Sequence, residues 1–322
     1  MKPVHVGLVG DVGGTNARFA LVDPEGRVRN LHVFEARKYA SLTDVIAEYL
    51  ERTTGRKRPP RAVIAVAGPV LDGEIEFTNL DWQVSEGDLL ATFEFEAVKL
   101  INDFAGQALA CPLLTADDLR PIGPKLRGAA EFPMVVLGAG TGFGVAGLAR
   151  GDRGDLALAT EGGHAAFAPS DEVEYAAWKR LKAQYGRVSI ERLLSGQGLY
   201  DLYLTIAEMR GEKTFLADQR AVMEAGNAGD ELAAETLDRF CGIMGSVAGD
   251  LALTFGARGG VFVSGGIAPR MAERLASGSF RERFEDKGRL RPYVEQIPTS
   301  LVLHPYPAII GAARQLETME RL

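Results

Sequence analysis

The chain has 322 residues, of which 46% are hydrophobic and 25% are charged, and its net charge is -7. This is the composition of a globular protein long enough for about two domains. An acidic chain without a large basic patch is not typical of a nucleic-acid-binding protein, and no apolar stretch approaches the ~20 residues that span a bilayer.

The first predicted element is a hairpin. An apolar run at 6–9 predicts a strand, the glycines after Asp11 predict a tight turn, and alternation from Phe19 onward predicts a second strand. Gly13–Gly14 can adopt positive φ and leave their N–H groups open to an anion. Thr15–Asn16 add side-chain donors, and Asp11 could hold a hydrated cation. The turn differs from a P-loop, in which a strand leads into a helix.

Strands and helices alternate through the rest of the first third of the chain. Predicted strands cover 27–34, 61–67, 74–77 and 97–101; predicted helices begin at Ser41 and at Ser85 and cover 104–110. The run 61–67 is almost entirely apolar, which is typical of a strand covered on both faces. This order indicates an α/β sheet with sites at the carboxyl ends of the strands, where Asn102 and Asp103 lie.

Residues 112–133 read as a loop, and we place a domain boundary there. The opening pattern then returns, with an apolar strand at 134–137, a glycine-rich turn at 138–144 and a strand at 145–149. The segment 142–147 matches G-x-G-x-x-G, but a strand rather than a helix follows it, so a dinucleotide fold is disfavoured. The repeat indicates a duplicated architecture.

The remaining elements are mostly helical. A strand at 156–159 ends before Glu161–His164, and predicted helices cover 171–184, 195–209, 214–226 and 230–256. A strand at 260–264 leads into a third glycine turn at Gly265–Gly266 and then a helix. A strand at 300–303 and a helix at 307–321 complete the chain. The two cysteines, Cys111 and Cys241, form no zinc spacing or C-x-x-C motif, so we expect buried thiols and a reducing cytoplasm.

The polar residues at strand ends suggest chemistry on a sugar hydroxyl. Such a hydroxyl has a very high pKa, so a carboxylate must accept its proton, and Asp103 is the best-placed candidate. Alternatively, Asp103 only caps the following helix. Glu161 and His164 could bind a polyol, although a lone histidine is often structural. Glu191 alone would be an exposed helix residue.

These segments together resemble a known family. Residues 9–18, 138–144 and 263–269 look like the first phosphate, second phosphate and adenosine motifs of the actin, hexokinase and heat-shock ATPase superfamily. More narrowly, 101–104, 161–164, 194–196 with Glu191, and 262–267 resemble bacterial glucokinases. The resemblance implies an α/β, two-domain, actin-like ATPase (ribonuclease H-like) fold with a central cleft. The small domain would be 1–108 plus 304–322, and the large domain 109–303.

The resemblance also implies roles. The protein would transfer the ATP γ-phosphate to the glucose 6-hydroxyl, with Asp103 as the base and Mg²⁺ held through water by Asp11. The sugar ligands would be Asn79, Asn102, Asp103, Glu161, His164 and Glu191. The nucleotide would face Gly10, Asp11, Val12, Gly13, Gly14, Thr15, Asn16, Gly140, Thr141, Gly142, Gly265 and Gly266. We expect a cytoplasmic homodimer without zinc, because the cysteine cluster of the related zinc-binding kinases and repressors is missing from the sequence.

Three alternatives stay open at this point. The enzyme could phosphorylate another hexose, such as mannose, fructose or an N-acetylated amino sugar. The chain could instead be a sugar-sensing regulator without catalysis, or, less favoured, an actin-like filament protein. The phosphoryl donor could also be ADP or polyphosphate.

Overall fold

The computed structural model describes residues 5–55, 58–77, 80–152 and 154–319, and all structural statements concern these ranges. The strands are β1 Gly7–Val12, β2 Asn16–Val22, β3 Val28–Glu35, β4 Arg61–Val66, β5 Glu74–Glu76, β6 Gln83–Ser85, β7 Ala97–Asn102, β8 Leu119–Pro121, β9 Met134–Ala139, β10 Phe143–Ala149, β11 Leu156–Thr160, β12 Gly260–Ser264 and β13 Thr299–Val302. The helices are α1 Leu42–Thr54, α2 Glu86–Phe93, α3 Asp103–Ala110, α4 Glu172–Tyr185, α5 Ile190–Leu193, α6 Gly196–Arg210, α7 Gln219–Asn227, α8 Glu231–Phe255, α9 Ala272–Ser277, α10 Phe280–Glu285, α11 Arg291–Val294 and α12 Pro307–Thr318.

The described residues divide into two compact units. One comprises 5–114, 154–159 and 304–319, and the other comprises 115–152 and 160–303. Each unit has its own buried apolar core. None of the helices in the described part of the chain is both long and apolar enough to span a bilayer.

The first unit is built on a sheet with the strand order β3-β2-β1-β4-β7. β2 pairs antiparallel with β1 and β3, whereas β4 runs parallel to both β1 and β7. Since parallel strands end at the same edge, this topology brings Val12, Val66 and Asn102 to one edge of the sheet. The apolar run predicted for β4 is buried, as expected for a central strand.

The second unit repeats this arrangement. Its strands include the order β10-β9-β12-β13-β8, in which β9, β12 and β13 are parallel, β10 is antiparallel to β9, and β8 is antiparallel to β13. The sequence β10-β9-β12-β13 therefore corresponds to β2-β1-β4-β7. The internal repeat expected from the two glycine-rich hairpins is visible in the topology.

The helices α3 and α12 of the first unit approach each other through glycine. A Cβ atom built on Gly311 would run into the backbone oxygen of Gly106. A different face of α12 buries Ile309, Ala312 and Leu316 against the sheet. Small residues thus allow α12 to lie directly against the helix that begins at Asp103.

The cysteines are buried, one in each unit. Burial raises the pKa of the Cys111 thiol and raises that of Cys241 to about 12. Both are therefore protonated at neutral pH, and neither is a reactive thiolate. The expectation of small buried side chains is confirmed.

Several sequence expectations need correction. The stretch 112–133 is not entirely loop, because β8 pairs with β13 within it. The helix expected over 214–226 begins only at Gln219, where the Asp218 side chain accepts a hydrogen bond from the N–H of Ala221. The single helix expected after Gly265–Gly266 is instead a 3-10 turn followed by the three short helices α9, α10 and α11.

Candidate active site

The first glycine turn is a three-residue connection between β1 and β2. The N–H of Gly13 donates to the carbonyl of Asn16 at 2.9 Å, which closes the hairpin. A Cβ atom on Gly13 would meet only that carbonyl, at 3.9 Å. The φ angle of Gly13 lies outside the left-handed region, so the prediction of positive φ is wrong at this residue. Glycine instead leaves one side of the turn open.

Asp11 is paired with an arginine that the sequence analysis did not identify. Asp11 and Arg18 lie opposite each other across the hairpin, and Nη1 of Arg18 donates to Oδ2 of Asp11 at 2.9 Å. Burial raises the pKa of the Asp11 carboxyl, and the charge and hydrogen bond of Arg18 offset this only in part. The Arg18 guanidinium also lies 5.7 Å from the ring centroid of Tyr306. Val12 pairs with Ala17, so four residues separate the paired positions, and this register places Asp11 opposite Arg18.

Two other predicted phosphate-facing residues lie within β1. Gly10 is buried, and a Cβ atom there would meet the Phe19 ring at 2.8 Å and Ile64 at 3.1 Å. Val12 belongs to the apolar core. The packing of the hairpin is therefore sufficient to explain why these two positions hold glycine and valine.

Asn102 and Asp103 form the junction between β7 and α3. Oδ1 of Asn102 accepts from the N–H groups of Phe104 and Ala105, at 3.0 and 3.1 Å. Asn102 is therefore the N-cap, and the alternative that Asp103 serves as the cap is wrong. Oδ1 of Asp103 accepts from the N–H of Phe104 at 2.9 Å and from Nδ2 of Asn102 at 3.1 Å. These two bonds fix the orientation of the carboxylate.

The second and third glycine turns lie at the ends of β9 and β12 in the second unit. The N–H of Gly140 donates to the carbonyl of Gly142 at 2.8 Å, and the N–H of Gly196 donates to the carbonyl of Gly140 at 2.9 Å. A Cβ atom on Gly140 or on Gly266 would meet none of the described residues within 4 Å. Gly265 differs, because its φ is +85° and a Cβ atom would meet the Ala139 carbonyl at 2.5 Å. Gly140 and Gly266 thus expose backbone, whereas Gly265 shapes the turn.

Glu161 precedes a short 3-10 turn in the same unit, and His164 is the last residue of that turn. Nε2 of His164 lies 3.9 Å from Oε2 of Glu161, and both side chains are 58% exposed. Nη1 of Arg187 donates to the His164 carbonyl at 2.8 Å, a contact that the sequence analysis missed. Gly163 packs directly against the carbonyl of Phe143. Both side chains are therefore exposed to solvent, whereas the Arg187 hydrogen bond and the packing of Gly163 hold the backbone of the turn in place.

Glu191 is not the exposed helix residue that the alternative interpretation described. It lies in the four-residue helix α5, is partly buried, and its Oε2 accepts from the N–H of Phe143 at 2.9 Å. A Cβ atom on Gly142 would run into the same oxygen. Asn79, the remaining predicted sugar ligand, lies outside the described residues.

Comparisons with known proteins identify one family along nearly the whole chain. A model of the Glucokinase family matches residues 8–319. The chain is 48% identical over 316 residues to a glucokinase of Caulobacter sp. strain K31, covering 97% of this chain and 95% of that one. It is 50% identical over 315 residues to a glucokinase of Caulobacter vibrioides, covering 96% and 94%. A crystal structure of glucokinase from an Antarctic psychrotroph matches with a TM-score of 0.87 at 37% identity, covering 97% of this chain and 98% of that chain.

The chain belongs to the glucokinase family. The family and fold class predicted from the motifs are therefore confirmed, as is the prediction of an enzyme of the glucokinase class. Membership does not by itself assign a task to any side chain. Within the first unit, the fold places Asp11 beside the glycine turn and orients Asp103. Within the second, it places Glu191 against the second glycine turn and beside the segment that carries Glu161 and His164.

Proposed function

We propose that this glucokinase-family protein transfers the γ-phosphate of ATP to the 6-hydroxyl of glucose, with Asp103 as general base. The observation that carries the proposal is the Asp103 carboxylate at the carboxyl end of β7, oriented by two hydrogen bonds. Ligands of α/β sheets bind at such strand ends. A base that accepts the hydroxyl proton during attack contributes about 10²–10⁴-fold to the rate.

The glycine turns support a nucleotide with its phosphates on backbone N–H groups. Gly13, Gly140 and Gly266 present sides that no described residue approaches closer than 3.9 Å, so a phosphate or ribose can approach the backbone there. We assign Gly10, Asp11, Val12, Gly13, Gly14, Thr15, Asn16, Gly140, Thr141, Gly142, Gly265 and Gly266 to nucleotide binding. Most of the catalysis would come from positioning and charge stabilisation.

Asp11 is the candidate partner of Mg²⁺. In the described ranges, no group of three or more His, Cys, Asp and Glu side chains is arranged to hold a metal ion. A single carboxylate suits Mg²⁺, which retains much of its water and is usually held by one or two carboxylates together with substrate phosphates. Mg²⁺ would neutralise phosphate charge, while Arg18 keeps the Asp11 carboxylate oriented at the turn.

Glucose hydroxyls are assigned to Asn79, Asn102, Glu161, His164 and Glu191. Glu161 and His164 are exposed, and the Glu191 carboxylate has one oxygen engaged in a known bond. Asn102 differs, because its Oδ1 caps α3 and its Nδ2 donates to the Gly68 carbonyl and to Asp103. A sugar that bonds to Asn102 would compete with these contacts, so we expect Asn102 to contribute mainly by orienting Asp103.

The assembly and location expected from the resemblance are also proposals. We propose a cytoplasmic homodimer whose domains are 1–108 plus 304–322 and 109–303. Light scattering should then give about twice the chain mass of 34.6 kDa. A mass equal to one chain at micromolar concentration would contradict the dimer.

A coupled assay tests the reaction directly. Glucose is offered with ATP, ADP or polyphosphate in the presence of Mg²⁺, and then mannose, fructose and N-acetylglucosamine are offered with the best donor. We expect glucose with ATP to give the highest kcat/KM. A higher kcat/KM for another hexose would make that hexose the assigned substrate. Glucose binding without turnover with any donor would favour a sugar sensor.

A further inference from the structure

One segment of the second unit makes hydrogen bonds to both turns that the proposed function assigns to ligands. At its start, the N–H of Ile190 donates to the carbonyl of Ala165 at 2.9 Å, directly after the 3-10 turn that carries His164. At its end, the N–H of Gly196 donates to the carbonyl of Gly140 at 2.9 Å, in the second phosphate turn. Residues 190–196, which we call the bridging segment, therefore contact both the 3-10 turn at 162–164, called the sugar turn, and the glycine turn at 140–142, called the phosphate turn.

Glu191 adds a side-chain bond within the bridging segment. Its Oε2 accepts from the N–H of Phe143, the first residue of β10 and the residue after Gly142. The carbonyl of that same Phe143 packs against Gly163 of the sugar turn. The backbone of Phe143 therefore contacts Glu191 through its N–H group and the sugar turn through its carbonyl group.

The chemistry of a carboxylate allows two partners at once. Its two oxygens offer about four lone-pair sites, so the bond to Phe143 leaves capacity for a sugar hydroxyl. The absence of a side chain at Gly142 is required for this contact, because a Cβ atom there would run into Oε2 of Glu191. The glycine therefore serves the approach of the carboxylate as well as the turn.

We propose that Glu191 couples the two substrates: it binds a glucose hydroxyl while holding the Phe143 N–H, so that bound sugar fixes the phosphate turn in its nucleotide-binding position. The inference rests on the proposed function. When bound sugar immobilises the carboxylate, the phosphate turn is already ordered before the nucleotide arrives. The nucleotide then loses less binding free energy in ordering the turn. By linkage, the nucleotide must tighten sugar binding by the same factor.

The test is a binding cycle. The Kd of a non-hydrolysable ATP analogue with Mg²⁺ is measured by calorimetry without glucose and with saturating glucose, and the ratio is the coupling factor. For the wild type we expect a ratio of roughly five or more. Gly142→Ala keeps the carboxylate but displaces it from Phe143, so its ratio should fall toward one. Glu191→Ala should lose glucose affinity as well as coupling.

Gly140→Ala is the matched control in the same turn. Its Cβ atom meets no atom of the described part of the chain within 4 Å, so Glu191 keeps its bond to Phe143. In this variant the Kd of the ATP analogue should rise by the same factor with and without glucose, so the coupling factor should equal that of the wild type. Circular dichroism melts of all variants show whether they are folded.

The outcomes separate this inference from the proposed function. Wild type that phosphorylates glucose but shows a ratio of one overturns the coupling alone. A Gly142→Ala variant that is folded and retains the wild-type ratio does the same. Wild type that binds neither glucose nor the analogue overturns both.

Discussion

At the residue scale, the junction between β7 and α3 holds the Asp103 carboxylate in one orientation. Asn102 caps α3 through the N–H groups of Phe104 and Ala105, and its Nδ2 also donates to the Asp103 carboxylate. The division of labour matters because a general base must be held at hydrogen-bonding distance from the proton it accepts. Two adjacent polar residues therefore do different work.

Replacing Asp103 with Asn tests this division. The amide oxygen can still accept from Phe104, but the side chain can no longer take a proton. We expect kcat to fall about 10²–10⁴-fold, with the Kd of an ATP analogue nearly unchanged, as measured by steady-state kinetics and calorimetry. Glu94→Gln, at an exposed position outside the site, is the control. Activity of Asp103→Asn within a few-fold of the wild type would exclude the base role.

We expect Asp23, in the turn between β2 and β3, to contribute to stability in the acid range. Partial burial would raise its pKa, but hydrogen bonds from the Arg27 backbone and from the Arg27 and Arg29 side chains outweigh this and lower it to about 2. The folded state therefore binds this proton less readily than the unfolded chain does. The stabilisation is present above the unfolded pKa of 3.8 and is lost as pH falls toward 2.

The corresponding measurement compares urea unfolding of wild type and Asp23→Asn from neutral pH down to about 2. The wild type should be the more stable at neutral pH, and the difference should shrink through the acid range. A difference that stays constant would show that the arginines do not act through the charge of Asp23.

At the element scale, the contact between α3 and α12 depends on two glycines. Gly311→Ala would drive a Cβ atom into the backbone of Gly106, where neither partner has a flexible end that can move. We expect a loss of about 1–3 kcal/mol in the free energy of unfolding. Gly87→Ala in α2 is the matched control, since its Cβ atom meets only Ser85 Oγ at 3.7 Å. It should stabilise the protein by about 0.5–1 kcal/mol.

Both variants are measured by urea denaturation, with a changed midpoint and an unchanged m-value. Equal effects for the two substitutions would mean that helix propensity, and not the close approach of the two helices, governs position 311.

Elements were predictable where local chemistry decides them. Ser41 and Ser85 each accept a hydrogen bond from the N–H three residues on, so the helix starts were visible in the sequence. The short strand β8 was not, because its formation depends on pairing with β13 far along the chain. The same limit applies to the site. Motifs predicted Glu191, but the bond from Phe143 arises only in the folded unit.

At the scale of the whole molecule, the two units carry separate cores and one buried thiol each. Thiol reagents attack the thiolate, so Cys111 and Cys241 should be unreactive in the native protein and should both react in denaturant. Mass spectrometry after pulsed labelling in urea distinguishes them. Because Glu161, His164 and Glu191 lie in the second unit, we expect glucose to slow labelling of Cys241. Labelling of Cys241 that is unchanged by saturating glucose would contradict a sugar site there.

The open sides of Gly13, Gly140 and Gly266 also have a genetic consequence. An alanine allele at any of these codons should yield a chain that accumulates to normal abundance yet fails in function. Alanine at Gly163 or Gly245 would instead collide with backbone, and the cell would degrade the product. A mutational scan that scores protein abundance and growth on glucose separately should therefore sort the glycines into two classes, one under selection for substrate and the other for folding.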